Sequence, residues 1–286
     1  MYIHINPLSK TIAAEVKDVD LRMPLTDETR AAIHAAFLTH RVLVFREQDL
    51  DKAQQVAFTE QFGVLERHAN RNKGTDNFPL LHVVTNLDEQ GNPAAVKSQN
   101  WHTDKSFRPA PSMATLLHAK QMPPSGGDTC FADMHAAFMA LPEARRDALS
   151  GLRVVRSWEH SRDNVGMKMS AAEIADAPPM SHPLVRLHPE TGKPALFLGM
   201  HAAYIEDMPF GEGQALIAEL EAHSTQAQFL YRHTWSAGDM LMWDNRCLLH
   251  RADANFETAR FARILHRTCL RGTSTEGQHV AAQPVH

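Results

Sequence analysis

Hydrophobic and polar positions follow two different patterns along the chain. In the first third, apolar residues recur at helical spacing over residues 27–40 and about 51–62, and short apolar runs occupy 41–45 and 79–87. A spacing of three to four residues indicates amphipathic helices, and short apolar runs bounded by turn residues indicate buried strands. This part of the chain is therefore predicted to be α/β.

Beyond residue 102 the pattern is that of many short strands. Strand-forming residues cluster in eight stretches, at 112–119, 129–134, 152–158, 182–188, 193–199, 228–235, 239–244 and 263–270. Turn sequences such as PPSGG, PETG and SAGD separate them, and helices are predicted only near 134–149 and 212–223. Many short strands with few helices favour a barrel or sandwich over a parallel α/β sheet.

The chain shows no sequence feature that would divide it into domains. There is no internal repeat, low-complexity tract or long linker, so residues 1–286 are predicted to form a single domain. The segment 160–181 is long, polar and contains proline, which suits a lid insertion over a site. The tail after about residue 272 is predicted to be mobile.

Composition excludes several classes of partner. With 43% hydrophobic residues and a net charge of −4, the chain is of ordinary globular make-up, and no nucleic-acid partner is indicated. No stretch approaches the roughly 20 apolar residues of a membrane span, and the N-terminus lacks the apolar core of a signal peptide. A cytoplasmic protein without membrane association is expected, with three reduced cysteines that serve packing.

The stretch NWHTD places an imidazole and a carboxylate two residues apart, at His102 and Asp104. On a β-strand these side chains would point to the same side. His250, in WDNRCLLHR, is the best candidate for a third ligand, and two histidines with one carboxylate form the facial triad of non-haem Fe(II) oxygenases. A hydrogen-bonded structural His–Asp pair is the competing interpretation of these residues alone.

Four ordered motifs carry a resemblance to a known family. NWHTD, PPSGGDT, WDNRCLLHR and RFARILHRT, preceded by VLVFREQ near the N-terminus, closely resemble the TauD/TfdA family of Fe(II)- and 2-oxoglutarate-dependent dioxygenases. The resemblance implies a mainly β fold with flanking helices, a double-stranded β-helix (jelly roll, cupin-like). It also implies Fe(II), 2-oxoglutarate and O2 as cofactors, with His102, Asp104 and His250 as the iron ligands.

The same resemblance assigns residues to cosubstrate and substrate. Thr129 would hydrogen-bond 2-oxoglutarate, and a turn-closing hydroxyl is the alternative. Arg263 is preferred as the anchor of the distal carboxylate because it begins an apolar strand, whereas its rival Arg260 lies in a probable loop. Arg267 would point to the same face and bind an anionic substrate, unless it pairs with an internal acid. His68 matches a sulfonate-binding histidine of taurine enzymes, and an exposed loop histidine is the alternative.

Departures from the taurine pattern bear on the substrate. Arg71 stands where a tyrosine is expected and Ser98 where an asparagine is expected, whereas PPSGGDT, WDNRCLLHR and residues 182–202 resemble phenoxyacetate enzymes. The predicted reaction is hydroxylation and oxidative cleavage of a small anionic substrate, preferably an aryloxyalkanoate-type carboxylate, with release of succinate and CO2. A sulfonate dioxygenase, a non-oxidative metal enzyme and a non-catalytic binding relative are the alternatives; Asp104 argues against a halogenase. A homo-oligomer is expected.

Overall fold

The computed structural model describes residues 3–67 and 79–280. The strands in these residues are β1 His4–Pro7, β2 Ala14–Lys17, β3 Val42–Phe45, β4 His82–Thr85, β5 Ala114–Gln121, β6 Thr129–Asp133, β7 Arg153–Arg156, β8 Met180–Pro183, β9 Val185–Leu187, β10 Pro194–Leu196, β11 Ala202–Ile205, β12 Leu230–His233, β13 Met240–Asp244, β14 Leu248–Ala252 and β15 Ile264–Leu270. The α-helices are α1 Asp27–His40, α2 Lys52–Glu60, α3 Met134–Met139, α4 Glu143–Leu149, α5 Trp158–Asp163, α6 Ala171–Asp176 and α7 Phe210–Ser224.

A seven-stranded sheet and a three-stranded sheet share one core. The large sheet has the order β1-β2-β3-β13-β5-β15-β4, and the small one has the order β12-β6-β14. Trp243 of β13 meets Phe131 of β6 edge to face, with ring centroids 5.5 Å apart. Two further small sheets, β11-β7-β8 and β10-β9, complete the described strands. The architecture is sheet-rich with flanking helices, as predicted.

Helices α1 and α2 cover the outer face of the large sheet. Leu43 of β3 belongs to a buried cluster with Phe37 of α1 and Phe58 of α2, whereas its neighbour Val44 belongs to the cluster shared with the small sheet. This alternation follows from the two-residue side-chain period of a strand. Because both faces of β3 are covered, this strand is apolar on both sides, which explains the continuous run VLVF.

Most of the predicted helices and strands are present in the structure, but some strands were not predicted. Each of the eight stretches predicted beyond residue 102 contains a strand, but β1, β2, β11 and β14 were not predicted. The segment 160–181 forms most of α5, all of α6 and the start of β8, and its function as a lid stays a prediction.

Residues 275–278, near the end of the described chain, contact the small strands β8 and β9. Leu187 N donates to Gln278 O at 2.7 Å, and His182 Nδ1 lies 2.7 Å from Thr275 Oγ1. The mobility of the tail is not tested by these contacts and stays a prediction. Among the described helices, none is long and apolar enough to cross a membrane.

Candidate active site

His102 and Asp104 converge, but not because they share a strand. His102 forms a single antiparallel bridge with His250, with N–H···O distances of 3.0 and 2.9 Å, and Asp104 already begins a turn. The predicted reason for their convergence is therefore wrong. Thr103 does face away from the pair, since its hydroxyl donates to Leu248 O at 2.8 Å.

The bridge brings the three predicted ligands together. The available ligand atoms of His102, Asp104 and His250 all lie within 4.8 Å of one another. Asp104 Oδ2 and His250 Nε2 are 3.8 Å apart, which is too far for a hydrogen bond. His102 Nδ1 lies 2.8 Å from Asn100 O, so in the neutral tautomer this nitrogen carries the proton and Nε2 has the lone pair. Such a set of lone pairs turned toward one another suits a cation.

The charge states of the ligands also suit a metal ion. Burial acts to raise the pKa of Asp104, but the Arg267 guanidinium, together with the hydrogen bond from Thr115, holds it well below its usual range. Burial, followed by the neighbouring His102, lowers the pKa of His250 to about 3. At neutral pH the carboxylate is therefore ionised and the His250 imidazole is neutral, the forms in which these groups bind metals.

Each oxygen of Asp104 accepts one hydrogen bond from the protein. Arg267 Nη1 donates to Oδ1 at 3.1 Å, and Thr115 Oγ1 donates to Oδ2 at 2.6 Å. Arg267 therefore pairs with an internal acid, which was the alternative to a free substrate-binding arginine. Its side chain remains 24% exposed, so part of the guanidinium can still reach a ligand.

Arg263 and Thr129 form a second anchoring point. Arg263 Nε donates to Gly127 O at 2.9 Å and Nη2 donates to Thr129 Oγ1 at 3.2 Å. Thr129 Oγ1 also accepts from Trp235 Nε1 at 3.0 Å, so the hydroxyl proton is left to donate elsewhere. Arg263 is 4% exposed and makes no ion pair with an acid of the described residues. A buried guanidinium beside a free hydroxyl proton favours an anion.

Two other residues were considered in the sequence: Arg260 as the rival anchor of 2-oxoglutarate, and His68 as a second substrate-binding residue. Arg260 is 69% exposed and pairs with Glu257 at 3.6 Å, so its position favours Arg263 as the cosubstrate anchor. His68 lies outside the described residues, and its predicted contact with substrate stays a prediction.

One cleft contains all the other predicted residues. It is lined by the three ligand residues and by Thr129, Arg263 and Arg267, and its open space is about 580 Å³, mouth included. Val84, Val96, Leu117 and Ala252 give the cleft apolar walls. An anionic ligand with an apolar body suits it.

Sequence reasoning missed several residues of this cleft. Lys97 lines its wall, and Asn86 Oδ1 accepts from Arg263 N at 2.7 Å. Nothing local in the sequence marks Lys97 or Asn86. His82 is not part of the lining, but it pairs in register with Arg267, and burial, followed by Arg267, lowers its pKa to about 4. Alternation on β4 could have indicated His82.

A second cluster of potential ligands, at His188, Asp244 and Cys247, does not suit a metal. His188 Nδ1 accepts from two backbone N–H groups, so Nε2 carries the proton that it donates to Asp244 at 2.9 Å. Arg246 occupies both Asp244 oxygens at 2.8 and 2.7 Å. Burial holds the pKa of the Cys247 thiol well above its usual value. This cluster is a structural ion pair.

The family described as taurine catabolism dioxygenase TauD, TfdA matches residues 4–269. The chain belongs to the TauD/TfdA family. The predicted class, a 2-oxoglutarate-dependent non-haem iron dioxygenase with Fe(II), 2-oxoglutarate and O2 as cofactors, is confirmed with it, and the donor set described above fits the metal.

The chain is also similar to individual dioxygenases of known name and to a solved structure. The chain is 40% identical over 264 residues to the alpha-ketoglutarate-dependent 2,4-dichlorophenoxyacetate dioxygenase of Cupriavidus pinatubonensis, covering 88% of this chain and 92% of the relative. It is 36% identical over 264 residues to the (S)-phenoxypropionate/alpha-ketoglutarate-dioxygenase of Delftia acidovorans, covering 88% and 89%. The crystal structure of AAD-2 with Mn(II) and N-oxalylglycine superposes with a TM-score of 0.86 at 34% identity, covering 96% of this chain and 99% of that chain. The predicted jelly-roll fold is thereby confirmed.

Proposed function

We propose that this TauD/TfdA dioxygenase hydroxylates an aryloxyalkanoate-type carboxylate, with His102, Asp104 and His250 as the iron ligands. The observation that carries the proposal is that this triad shares one cleft with two guanidiniums, those of Arg263 and Arg267. Arg263 has no acid partner among the described residues, and Arg267 keeps donors free beside its one bond to Asp104, so the two guanidiniums suit two further anions, the cosubstrate and the substrate.

The residues divide between these two anions. Arg263 and the free hydroxyl proton of Thr129 support binding of the 2-oxoglutarate distal carboxylate. Arg267 supports binding of the substrate carboxylate, and the apolar walls at Val84 and Leu117 suit an aryl group. Relatives named for dichlorophenoxyacetate and phenoxypropionate fit this substrate class.

The chain's own task is to place the substrate and to exclude water. When bound, Fe(II) and 2-oxoglutarate would supply the oxidising chemistry: 2-oxoglutarate and O2 are converted into succinate and CO2, with one oxygen atom entering succinate and the other becoming a hydroxyl group on a substrate carbon. Arg267 would hold the carboxylate so that the carbon next to the ether oxygen faces the triad. Hydroxylation at that carbon gives a hemiacetal, which breaks into a phenol and an α-oxo acid.

An anaerobic titration tests the site before any substrate is chosen. Fe(II) and then 2-oxoglutarate are added to metal-free protein, and the weak visible charge-transfer band of chelated oxoglutarate is recorded for wild type and Asp104→Ala. A band in wild type alone supports the triad. No band in a folded, iron-loaded protein would overturn the proposal.

Succinate release then tests the substrate class. Phenoxyacetate, (S)-phenoxypropionate, taurine and an alkyl sulfate are compared under air with 2-oxoglutarate. Phenoxyalkanoate-dependent succinate and phenol in equal amounts support the proposal. Turnover of only taurine or the alkyl sulfate would contradict the proposed substrate class and favour a sulfonate or sulfate-ester dioxygenase instead.

A further inference from the structure

A line of four buried side chains ends at the carboxylate of Asp104. Trp243 Nε1 donates to Asn245 Oδ1 at 3.1 Å, Asn245 Nδ2 donates to Thr115 Oγ1 at 2.9 Å, and Thr115 Oγ1 donates to Asp104 Oδ2 at 2.6 Å. None of the four residues is more than 6% exposed. Water therefore cannot replace these hydrogen bonds where they stand.

We call this line of hydrogen bonds, from Trp243 through Asn245 and Thr115 to Asp104, the relay. The chemistry of the four side chains determines which group donates in each of its bonds. An indole N–H can only donate, so Asn245 must present its oxygen to Trp243 and its NH2 group to Thr115. The hydroxyl of Thr115 then accepts from Asn245 and has one proton to give. Asp104 is ionised and accepts only, so the proton belongs on the short bond to Oδ2.

Cys269 is the other neighbour of this hydroxyl, and it does not reverse the relay. Its Sγ lies 3.6 Å from Thr115 Oγ1. If Thr115 donated to sulfur, its oxygen and Asp104 Oδ2 would face each other as two acceptors at 2.6 Å, which is repulsive. Burial raises the pKa of Cys269 to about 12, so the protonated thiol is available as the donor.

The relay starts from the interior of the seven-stranded sheet. Thr115 lies in β5, paired in register with Trp243 of β13 on one side and Cys269 of β15 on the other. Asp104 itself lies in a turn, where no ladder fixes its side chain. Its orientation therefore depends on groups supplied by the sheet.

We propose that Thr115, Asn245 and Trp243 are positioning residues that fix the plane of the Asp104 carboxylate for metal binding. The inference rests on the metal site of the proposed function. Arg267 holds the opposite oxygen, but in the proposed function the same guanidinium also binds the substrate anion. The relay from the sheet is independent of substrate and keeps the carboxylate oriented when Arg267 is engaged.

Metal binding without turnover tests the relay. Metal-free protein is titrated with Co(II) under competition with a coloured chelator, and the dissociation constant is compared with the thermal midpoint of the metal-free form. Thr115→Val keeps the shape and removes the hydroxyl, and we expect it to weaken Co(II) binding about 10- to 100-fold. Thr115→Ser keeps the hydroxyl and should bind close to wild type. Trp243→Phe frees the Asn245 amide and should give a smaller loss.

Thr268→Val is the matched control. Thr268 is equally buried in β15, but its hydroxyl contacts Thr59 at 2.8 Å. This variant should lower the thermal midpoint and leave the Co(II) dissociation constant unchanged. Loss of a buried hydroxyl alone is thereby separated from loss of carboxylate orientation.

The outcomes distinguish this inference from the proposed function. If wild type and Asp104→Ala bind Co(II) equally, the metal site itself is wrong. If binding depends on Asp104 but Thr115→Val binds like wild type, or Thr115→Ser is weakened as much as Thr115→Val, only the relay is overturned. Should Thr115→Val not fold, Asn245→Ala decides, since unchanged Co(II) affinity there overturns the inference and weaker affinity supports it; Trp243→Phe is less suited to this because the Trp243 ring lies 4.8 Å from that of His250.

Discussion

Arg267 and Asp104 are joined by a hydrogen bond of 3.1 Å between Nη1 and Oδ1, so a proposed substrate residue contacts a proposed metal ligand. A guanidinium carries five N–H donors in a planar fork, and one bond to Asp104 leaves others for a substrate anion. The pair is partly exposed on the Arg267 side, at 24% of the side chain. Substrate binding and the carboxylate of the triad are thus linked through one side chain.

Replacing Arg267 should affect the substrate more than the cosubstrate. A charge-assisted hydrogen bond contributes about 1.5–3 kcal/mol, so Arg267→Gln is expected to raise the KM for phenoxyacetate about 10- to 100-fold. Arg267→Lys keeps the charge but loses the planar fork, so its KM for phenoxyacetate should lie between those of wild type and Arg267→Gln. Steady-state succinate assays at saturating 2-oxoglutarate measure this. A rise in the KM for 2-oxoglutarate with no change for phenoxyacetate would assign Arg267 to the cosubstrate instead.

Arg263 and Arg260 can be separated by a matched pair of substitutions. Arg263 is buried beside Thr129, whereas Arg260 is 69% exposed and pairs with Glu257. Arg263→Gln should raise the 2-oxoglutarate KM about 10- to 100-fold through the lost charge-assisted bonds. Arg260→Gln should leave it unchanged. The opposite result, measured as succinate formed against 2-oxoglutarate concentration, would make Arg260 the anchor.

The triad could be predicted from the sequence, but its supports could not. His102 and Asp104 are two residues apart and His250 lies in a motif, so local spacing and resemblance were enough to nominate them. The strand that carries His250 was not predicted, because LLHRA has no polar–apolar alternation. Pairing between strands that are distant in sequence places the side chains of Thr115, Asn245 and Trp235 at the site. The register of such pairing cannot be predicted from any local sequence pattern.

The convergence of His102 and Asp104 shows the same limit. Alternation on a strand was the predicted reason, and it gave the right side chains through the wrong geometry. The actual geometry is a one-residue bridge to His250 followed by a turn in which Lys105 has a φ of +49°. A positive φ at lysine is held by tertiary contacts rather than by local preference, so it could not be read from the sequence.

Gly199 should tolerate no side chain, because its backbone lies against the metal-ligand segment. Its φ is +103°, and an added Cβ would lie 2.9 Å from Trp101 O and 3.1 Å from His102 Cα. Gly199→Ala is expected to lose about 1–3 kcal/mol beyond the cost of a positive φ and to weaken Co(II) binding. Gly192→Ala is the control, since Gly192 also has a positive φ, of +66°, but open space around it. Urea unfolding and Co(II) titration of Gly199→Ala and Gly192→Ala measure the two effects. Equal losses of stability and equal Co(II) dissociation constants in the two variants would contradict the prediction.

His182 makes the stability of the fold sensitive to acid. Burial, followed by the guanidiniums of Arg156, Arg186 and Arg153, lowers its pKa to about 3, whereas an unfolded histidine titrates near 6.5. Between these values the unfolded chain binds the extra proton, so stability rises with pH and is lost as pH falls from about 6.5 towards 3. The contribution of this one group is up to about 1.4 kcal/mol per pH unit.

His182→Gln should therefore flatten the pH dependence of unfolding. The variant keeps a polar side chain facing Thr275 Oγ1, which lies 2.7 Å from Nδ1 in wild type. Urea unfolding of metal-free protein at pH 8, 6, 5 and 4 gives the free energy of unfolding for both proteins. We expect the variant to be the less stable at pH 8, and the difference to shrink as the pH falls, because only wild type has this buried imidazole to protonate. Curves that stay parallel down to pH 4 would show that His182 is protonated as readily in the folded protein as in the unfolded chain.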